Sequence, residues 1–383
     1  MIACNYTAEK KSIKEDSLQF YPSTPKEIAK DKFRYYYRAI QSFYDNYLSR
    51  SGFSGGILVA KEGAIIFEKN AGFTDFTSSD SIRVNSSLHI ASTSKTFTAM
   101  AILQLAKNNK LSIEDPVAKY LPSFPYTEIN IKMLLNHRSG LTNYLYFIDP
   151  KKYASDHSLT NAEVLNYIIE NKIPLSYKPD TRFNYCNTNY VLLALIIEKI
   201  SQQSFPEFMQ KNIFKPLGMT HSFICTSADS SIKTKSYYPN WRPWLEDIFD
   251  GTYGDKNVYS TPRDLLKWSN AINDNKTFSS SILDSAFKPY SNETDSQHNY
   301  GLGWRLLILK NGKKIIYHNG LWHGSNAFFA ILPEEKVSII IIGNKNNKNI
   351  YKGNMLYNVF GDYLQNTNDS YNLSDSFAVG SPK

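Results

Sequence analysis

The spacing of apolar positions along this chain predicts helices and strands near both ends and a mainly helical middle. Residues 28–50 carry apolar side chains at helical spacing. Two short apolar runs, at 56–60 and 64–68, flank Lys61-Glu62-Gly63 and predict a β-hairpin. The runs after Tyr300 predict four further strands, at 304–309, 314–317, 327–332 and 337–342.

The middle of the chain, from about 111 to 290, alternates short helical patterns with loops marked by proline and glycine. We therefore expect an α+β fold in which strands from both ends pair in one antiparallel sheet, flanked by terminal helices, with a mostly helical lobe inserted. The predicted domain is 28–366, with an α/β lobe at about 28–110 and 291–366 and a helical lobe at about 111–290. The polar flanks predict a flexible N-terminal tether at 1–27 and a disordered tail at 367–383.

A serine and a lysine three positions apart begin a second helical pattern. They lie in Ser92-Thr93-Ser94-Lys95, and apolar residues recur at helical spacing from Lys95 on, which predicts a buried amphipathic helix. Residues three apart share a helical face, so the lysine amine is expected beside the serine hydroxyl. A neutral lysine can take the serine proton, and the N–H groups of a helix N-terminus favour developing negative charge. Taken alone, the pattern also fits a capping serine and a solvated lysine.

Two further motifs carry polar residues that suit the same cleft. Tyr185-Cys186-Asn187 precedes an apolar run at 191–197, which predicts a loop before a buried helix. Its phenol can relay or accept a proton, and its amide can orient the lysine and the substrate. His318-Asn319-Gly320 follows the predicted strand at 314–317, where glycine lets a substrate lie close to the backbone. The histidine offers a donor or a positive charge that faces the nucleophile.

In this order the three motifs resemble those of the serine β-lactamase and penicillin-binding protein superfamily. The Tyr-x-Asn form is similar to the class C β-lactamase and D-alanyl-D-alanine carboxypeptidase branch, which also contains esterases and D-aminopeptidases. The His-x-Gly form resembles the peptidases of that branch more than its lactamases. The resemblance covers roughly residues 33–365, and further stretches share it, at 110–117, 131–141, 216–219, 259–265 and 300–304. It implies one two-lobed body of the β-lactamase/transpeptidase type, with the motifs at the seam between the lobes.

The resemblance implies acyl transfer by a serine hydrolase, with catalytic roles for Ser92, Lys95, Tyr185, Asn187 and His318. Ser92 Oγ attacks a carbonyl after neutral Lys95, or Tyr185 coupled to it, removes its proton. Asn187 fixes Lys95 and contacts the acyl side chain. Tyr185, helped by His318, protonates the leaving group, and water then attacks the acyl-enzyme.

The substrate-binding and oxyanion positions that the resemblance implies are Gly320, Leu321 and Asn319. The backbone N–H groups of Ser92 and Leu321 are expected to hold the oxyanion. Relatives that act on carboxylate-bearing substrates often have hydroxyl residues where this chain has Asn319 and Leu321, and Leu321 and Trp322 make this edge apolar. A site without a charge-assisted partner discriminates less well in favour of a charged substrate.

Four functions therefore stay open. The leading prediction is a DD-peptidase-like enzyme, or a D-amino-acid amidase or peptidase, that acts on a small molecule or a peptidoglycan peptide. The alternatives are an esterase of small acyl esters, a class C-like β-lactamase, and a penicillin-binding sensor or scaffold that is acylated without turnover. Arg83 and Arg305 are candidates to compensate for the missing carboxylate partner.

Several reactive residues outside these roles have structural interpretations. Ser54 lies in a G-x-S-x-G pattern, but a nucleophile there needs a strand before it and a helix after it, and the predicted order is the reverse. His137 is expected to hold a loop and Cys186 to be a small apolar filler, while a bond between Cys186 and Cys225 stays open. Asp255 is expected to border the cleft as a supporting residue.

Composition excludes other classes of function. The 3 cysteines among 383 residues provide neither a disulfide framework nor metal-ligand spacing. His318 and His323 lie on either side of a predicted bend, and no other His, Cys or carboxylate cluster has ligand spacing, so neither a metal nor a cofactor is expected. The net charge of +8 comes from scattered lysines, which predicts no nucleic-acid binding. The apolar runs are far shorter than the ~20 residues of a transmembrane helix.

The first residues, Met1-Ile2-Ala3-Cys4, resemble the end of a bacterial lipoprotein signal, without the charged and hydrophobic parts that precede such a cysteine. One interpretation is a membrane tether through a lipidated Cys4, and the other is an accidental cysteine in a flexible tail. With the resemblance above, the first predicts an extracytoplasmic bacterial protein, periplasmic or anchored as a lipoprotein.

Overall fold

The computed structural model describes residues 24–154, 156–226, 229, 232–274 and 276–364. Its α-helices are α1 (Lys30–Phe43), α2 (Ser94–Lys107), α3 (Ile131–Leu135), α4 (Tyr144–Phe147), α5 (Asn161–Asn171), α6 (Asn187–Ser201), α7 (Phe205–Met209), α8 (Pro262–Asn273), α9 (Ser280–Ala286) and α10 (Tyr357–Phe360). Within these ranges, no helix is both long and apolar enough to cross a bilayer. Cys4, most of the predicted tether and the predicted tail lie outside the described residues.

Strands from both ends of the chain form one seven-stranded antiparallel sheet, in the order β2-β1-β12-β11-β10-β9-β8. Smaller sheets pair β3 with β4 and place β7 between β5 and β6. The strands are β1 (Gly55–Lys61), β2 (Ala64–Ala71), β3 (Phe73–Asp75), β4 (Asp80–Ser81), β5 (Leu88–His89), β6 (Phe223–Ile224), β7 (Val258–Ser260), β8 (His298–Tyr300), β9 (Arg305–Ile308), β10 (Lys314–Trp322), β11 (Ser325–Leu332) and β12 (Val337–Gly343). The predicted α+β fold, with its terminal strands in one sheet, is confirmed.

Helices cover both faces of the main sheet. Successive side chains of a strand point to opposite faces, and in β12 Ile339 and Ile341 pack in the core that contains α1 and α10. Ile340 and Ile342 pack in the larger core that contains α2, α6 and α8. Because both faces are covered, every residue of β12 is buried, and four isoleucines follow one another at 339–342 instead of alternating with polar residues.

Helix α8 departs from the predicted division into lobes. It lies within 111–290, the range expected to form the helical lobe, yet it packs against β1 and β12 of the main sheet. Trp268 joins the large core, and the hydroxyls of Ser269 and Ser338 lie 2.7 Å apart. The helix has an apolar face that needs a buried partner, and the sheet provides it.

Two predicted elements differ in extent or burial. Helix α2 is buried on all sides from Ser94 to Leu103 rather than amphipathic, because it runs between α6, α9 and the segment before β9. Strand β10 continues five residues beyond the predicted end at 317, so the motif at 318–320 lies inside the strand. In the turn before this strand, Asn311-Gly312 is a sequence typical of hairpin turns, and Gly312 has the positive φ, +86°, that such a turn favours.

Candidate active site

The structure brings Lys95 and Ser92 together at the beginning of α2. Ser92 lies in a 3₁₀ turn, Ala91–Thr93, that leads directly into the helix. The Lys95 amine is fully buried and lies 3.2 Å from Ser92 Oγ, while Ser92 itself is half-buried and can be reached from the cleft. The pair therefore has the geometry of a nucleophile next to its base.

A backbone carbonyl holds the Lys95 amine in place. Lys95 Nζ donates to the carbonyl oxygen of Asp255 at 2.7 Å. Two hydrogen bonds tie this loop to the serine turn, because Ile90 N–H donates to the Val258 carbonyl and Val258 N–H donates to the Ser94 hydroxyl. The small sheet of β5, β7 and β6 thus brings residues 255–258 beside a nucleophile that is distant in sequence.

Two tyrosine rings also lie close to the Lys95 amine. The Tyr185 ring centre is 5.0 Å from Lys95 Nζ, and the Tyr190 ring centre is 5.5 Å from it. Asn187 is buried, but the hydrogen bonds described for Lys95 go to Ser92 and Asp255, so the expected Asn187–Lys95 contact is not found. Among the described residues the Asn187 Oδ1 has no hydrogen-bond partner, which leaves this buried acceptor unsatisfied.

His137 holds the loop that presents Tyr185, as the sequence predicted. Its Nδ1 accepts hydrogen bonds from Cys186 N–H at 3.1 Å and from the Asn189 amide at 3.2 Å. Its ring centre lies 4.3 Å from that of Tyr185. Burial lowers the pKa of His137 well below its usual value, and the charge of Lys95 adds to this shift, so the ring is neutral with its proton on Nε2.

The two cysteines described by the structure are buried and free. The Cys186–Cys225 bond that the sequence left open is therefore absent from this part of the chain. Burial raises the pKa of Cys186 to about 11 and that of Cys225 to about 12, so neither is a thiolate at neutral pH. This agrees with the interpretation of Cys186 as an apolar filler.

His318 is neutral, so of the two roles predicted for it, a hydrogen-bond donor or a positive charge, the second is excluded. Its Nδ1–H donates to the Asn319 carbonyl at 2.7 Å, and its Nε2 accepts from the Tyr300 hydroxyl at 3.1 Å. Burial lowers its pKa well below the usual value, and the charges of Arg305 and Lys95 add to that effect. His318 therefore offers no positive charge, and its ring centre lies 6.3 Å from that of Tyr185.

The positive charge near the tyrosine comes from Arg305 instead. Arg305 lies in β9 opposite Tyr317, and its guanidinium carbon is 5.2 Å from the centre of the Tyr185 ring. Arg83, the other arginine considered, lines a cavity of about 1270 Å³ that Trp322 and His323 also line. Of the two, Arg305 is placed beside the motif residues.

Strand β10 lies directly against the serine turn. The Thr93 hydroxyl donates to the His318 carbonyl at 3.1 Å, and a Cβ on Gly320 would overlap the Ile90 carbonyl oxygen. Leu321, the predicted second oxyanion donor, follows this point of close approach. The Asn319 Oδ1 is buried and has no hydrogen-bond partner within the described ranges.

Beyond Leu321, the edge of the cleft is fixed by Asp250, a residue that the sequence did not single out. Trp322 Nε1 donates to Asp250 Oδ1 at 2.6 Å, and His323 Nε2 lies 3.0 Å from Asp250 Oδ2. Burial works to raise the pKa of Asp250, but hydrogen bonds from His323 and Trp322 outweigh it and hold it at about 2. With Asp247, these groups form a His-carboxylate cluster that linear spacing could not reveal, although Asp250 already accepts from the indole and the imidazole.

The comparisons with known proteins agree with this geometry. A protein-family model described as beta-lactamase matches residues 40–359. A penicillin-binding protein of Bacillus subtilis (strain 168) is 28% identical over 329 residues, which are 82% of this chain and 73% of that protein. The structure of FmtA from Staphylococcus aureus has a TM-score of 0.70 at 27% identity, covering 88% of this chain and 92% of that one.

A third neighbour shares the fold at lower identity. The D-amino acid amidase of Ochrobactrum anthropi SV3 has a TM-score of 0.69 at 21% identity, covering 84% of this chain and 98% of that chain. At this identity the likeness extends to the fold alone.

Proposed function

The chain belongs to the beta-lactamase family, and we propose that this serine hydrolase is a DD-peptidase-like enzyme or D-amino-acid amidase that forms an acyl-enzyme on Ser92. The observation that carries the proposal is the 3.2 Å contact between the Lys95 amine and Ser92 Oγ. The name of the Bacillus subtilis relative also supports reaction with penicillin.

Acylation starts at Ser92. The neutral Lys95 amine donates one N–H to the Asp255 carbonyl, which leaves its lone pair free to accept the Ser92 proton. Ser92 Oγ then bonds to the substrate carbonyl carbon, and the carbonyl oxygen becomes an oxyanion. The backbone N–H groups of Ser92 and Leu321 stabilise it, because Gly320 allows β10 to approach the serine turn.

Tyr185 passes the proton to the leaving group. The Arg305 guanidinium lies over its ring and stabilises negative charge on the phenol oxygen while the proton is in transit. His318, being neutral and bonded to Tyr300 and Asn319, acts as a positioning residue for β10 and β8 rather than as a proton donor. Water then attacks the acyl-enzyme, with the Lys95–Tyr185 pair as base.

Ester hydrolysis is the second candidate. The observation that favours it is the apolar edge formed by Leu321 and Trp322 together with the uncharged His318, which leaves this strand without a charged partner for a carboxylate. Arg305 could supply such a partner from β9, so the balance between the two candidates depends on how a substrate carboxylate approaches that arginine.

The test uses a fluorescent penicillin, a peptide ending in D-alanyl-D-alanine, a D-amino-acid amide and p-nitrophenyl acetate, with intact mass measured after each. A stable penicillin adduct that Ser92→Ala abolishes, together with turnover of either amide, supports the proposal. Fast ester turnover without any reaction with penicillin or amides would mean an esterase. Rapid penicillin hydrolysis without an adduct would mean a lactamase, and an adduct without any turnover would mean a sensor.

An extracytoplasmic location and a lipid tether at Cys4 remain part of the proposal. Metabolic labelling of the bacterial protein with a radioactive fatty acid tests the tether, and Cys4→Ala is its control. Label that persists in Cys4→Ala would rule out attachment at this residue.

A further inference from the structure

A second lysine is buried beside the catalytic one. Lys256 is only 2% exposed, and its amine donates to the Tyr144 hydroxyl at 2.6 Å and to the Thr252 hydroxyl. The Asp255 carboxylate lies 3.4 Å from it and also accepts from Tyr144 at 3.0 Å. Burial lowers the pKa of Lys256, and the carboxylates of Asp255 and Asp250 oppose that shift.

The hydrogen-bond network around Lys256 lies between the Lys95 amine and the end of strand β10. On one side, the Lys95 amine donates to the carbonyl of the peptide bond that joins Asp255 to Lys256. On the other side, the Lys256 amine is 4.7 Å from the centre of the Trp322 ring, at the end of the strand that carries Gly320 and Leu321. Trp322 itself packs against the apolar cluster of the helical lobe.

We propose that Lys256 is a positioning residue for acyl transfer, which aligns the Asp255 carbonyl under the Lys95 amine and anchors Trp322 at the end of the oxyanion strand. The inference rests on the proposed function. A buried ammonium with hydroxyl and carboxylate partners fixes the loop of residues 252–256, because moving any partner leaves a charge or a donor unsatisfied. Its own side chain is too buried to touch a substrate.

Lys256 also adds a positive charge near the catalytic amine, and the two lysines interact electrostatically. A positive charge disfavours a second one close by, so removing the charge of Lys256 is expected to alter proton transfer at the catalytic amine. The other ionisable groups that face Lys95 come from several elements: Tyr185 and Tyr190 around the start of α6, His137 after α3, His318 in β10, Arg305 in β9 and Asp255 in the same loop. Burial keeps both histidines neutral, so they do not mask a change at Lys256.

The experiment compares Lys256→Met, which removes the charge and the hydrogen bonds, with Lys256→Gln, which removes the charge but keeps a shorter side chain that can still donate hydrogen bonds. The pH dependence of kcat/KM is measured with p-nitrophenyl acetate, and acylation of Ser92 with fluorescent penicillin. For Lys256→Met we expect a loss of about 10- to 100-fold at pH 7. In both variants the acid limb of the profile should move to higher pH, because a positive charge near the catalytic amine is lost. Lys256→Gln should regain most of the rate at its new optimum.

Lys107→Met is the matched control. Lys107 is exposed in the last turn of α2, the helix that carries Lys95, so its loss removes one charge without touching the network. It should leave the profile unchanged. Thermal unfolding of each variant shows whether it is folded, and if Lys256→Met is not, Lys256→Gln carries the test of the limb shift.

Two results would overturn the inference. If the folded variants keep the wild-type acid limb and the wild-type rate at the optimum, or lose only thermal stability, Lys256 has a structural role and the proposed function stands. If the wild-type protein neither hydrolyses the ester nor is acylated at Ser92, the proposed function fails and the inference about Lys256 fails with it.

Discussion

At the scale of single residues, the charge state of the site is decided by burial and by backbone partners. Lys95 is held by a carbonyl, which accepts a hydrogen bond from the amine in either protonation state. His318 has the histidine's usual ability to become charged, but its burial and the nearby Arg305 suppress it. The cationic group near Tyr185 is consequently an arginine, which stays charged at any working pH.

Ser92→Ala is expected to abolish acyl transfer and leave the fold intact. The substitution removes only a half-buried hydroxyl, so the core packing is unchanged. The measurement is hydrolysis of p-nitrophenyl acetate together with penicillin adduct formation by intact mass. Near-normal ester hydrolysis by the variant would mean that another residue is the nucleophile.

Lys95→Ala and Tyr185→Phe are each expected to lower kcat by about 10³-fold or more, and the double variant by little more than either. In the proposed mechanism the two side chains form one proton-transfer unit, so removing the first leaves the second without its partner. Steady-state kinetics of all three variants checks the prediction. Multiplicative losses in the double variant would show that the residues act independently.

At the scale of elements, the catalytic geometry depends on one close contact between β10 and the serine turn. Gly320 allows it because no Cβ stands between the strand and the Ile90 carbonyl. The Tyr351 hydroxyl donates to the Gly320 carbonyl at 2.7 Å and helps to hold β10 in this position. The strand also carries Leu321 and Trp322, so its position sets the oxyanion site and the apolar edge together.

Gly320→Ala is therefore expected to lower kcat/KM for ester hydrolysis by about 100-fold, because the added methyl group pushes β10 away from the nucleophile. Gly312→Ala is the matched control in the turn before the same strand. It has a positive φ of +86° but open space around its Cβ, so it should cost stability and leave kcat/KM unchanged. Equal kinetics for the two variants would contradict the proposed role of the contact.

At the scale of the whole molecule, the two lobes meet through buried polar groups as well as apolar packing. Trp322, from the sheet, packs on the cluster formed by the helical lobe, and His89, His137 and His318 are buried without charge. Burial lowers the pKa of His89 to about 3, and its Nε2 accepts from the Asn257 N–H at 3.2 Å. In the native state these three histidines therefore stay unprotonated at pH values at which they would be protonated in the unfolded chain.

The free energy of unfolding should fall as the pH is lowered below about 6.5, because histidines in the unfolded chain become protonated there and the buried histidines of the folded protein do not. Folding lowers the pKa of these histidines, so their contribution to stability is complete above the pKa of a histidine in the unfolded chain. The contribution is lost as the pH falls from that value towards the pKa of the histidine in the folded protein. Each such histidine contributes a slope of about 1.4 kcal/mol per pH unit in the free energy of unfolding. Urea unfolding at pH 5, 6 and 7 measures it.

His89→Gln keeps an acceptor near the Nε2 position and should reduce that slope by about one histidine's share. His221→Gln is the control, because His221 is exposed and its loss should leave the slope unchanged. A variant His89→Gln with the wild-type pH dependence would show that this buried ring does not drive the acid sensitivity.

The sequence predicted the sheet, and it failed where burial depends on distant partners. Alternating and continuous apolar runs predict the strands, but they predict the end of β10 five residues too early. His318 and Asn319 have polar side chains that are typical of loops, and only the structure shows that Tyr300 and the serine turn cover this part of the strand. The prediction includes α8 in the helical lobe, whereas the structure packs it against the main sheet. The pattern of the helix shows that it has an apolar face, but it does not show which surface that face packs against.

The sequence by itself determined the α+β order, the Ser92–Lys95 spacing and the Tyr185 and His318 motifs, because these depend on local periodicity and on residues a few positions apart. Only the tertiary structure decided that Asp255 holds Lys95, that His318 is neutral, and that Arg305 provides the charge near Tyr185. It also placed Lys256 and Asp250 beneath Trp322. These features depend on distance and burial between segments far apart in the chain, and linear spacing carries no information about either.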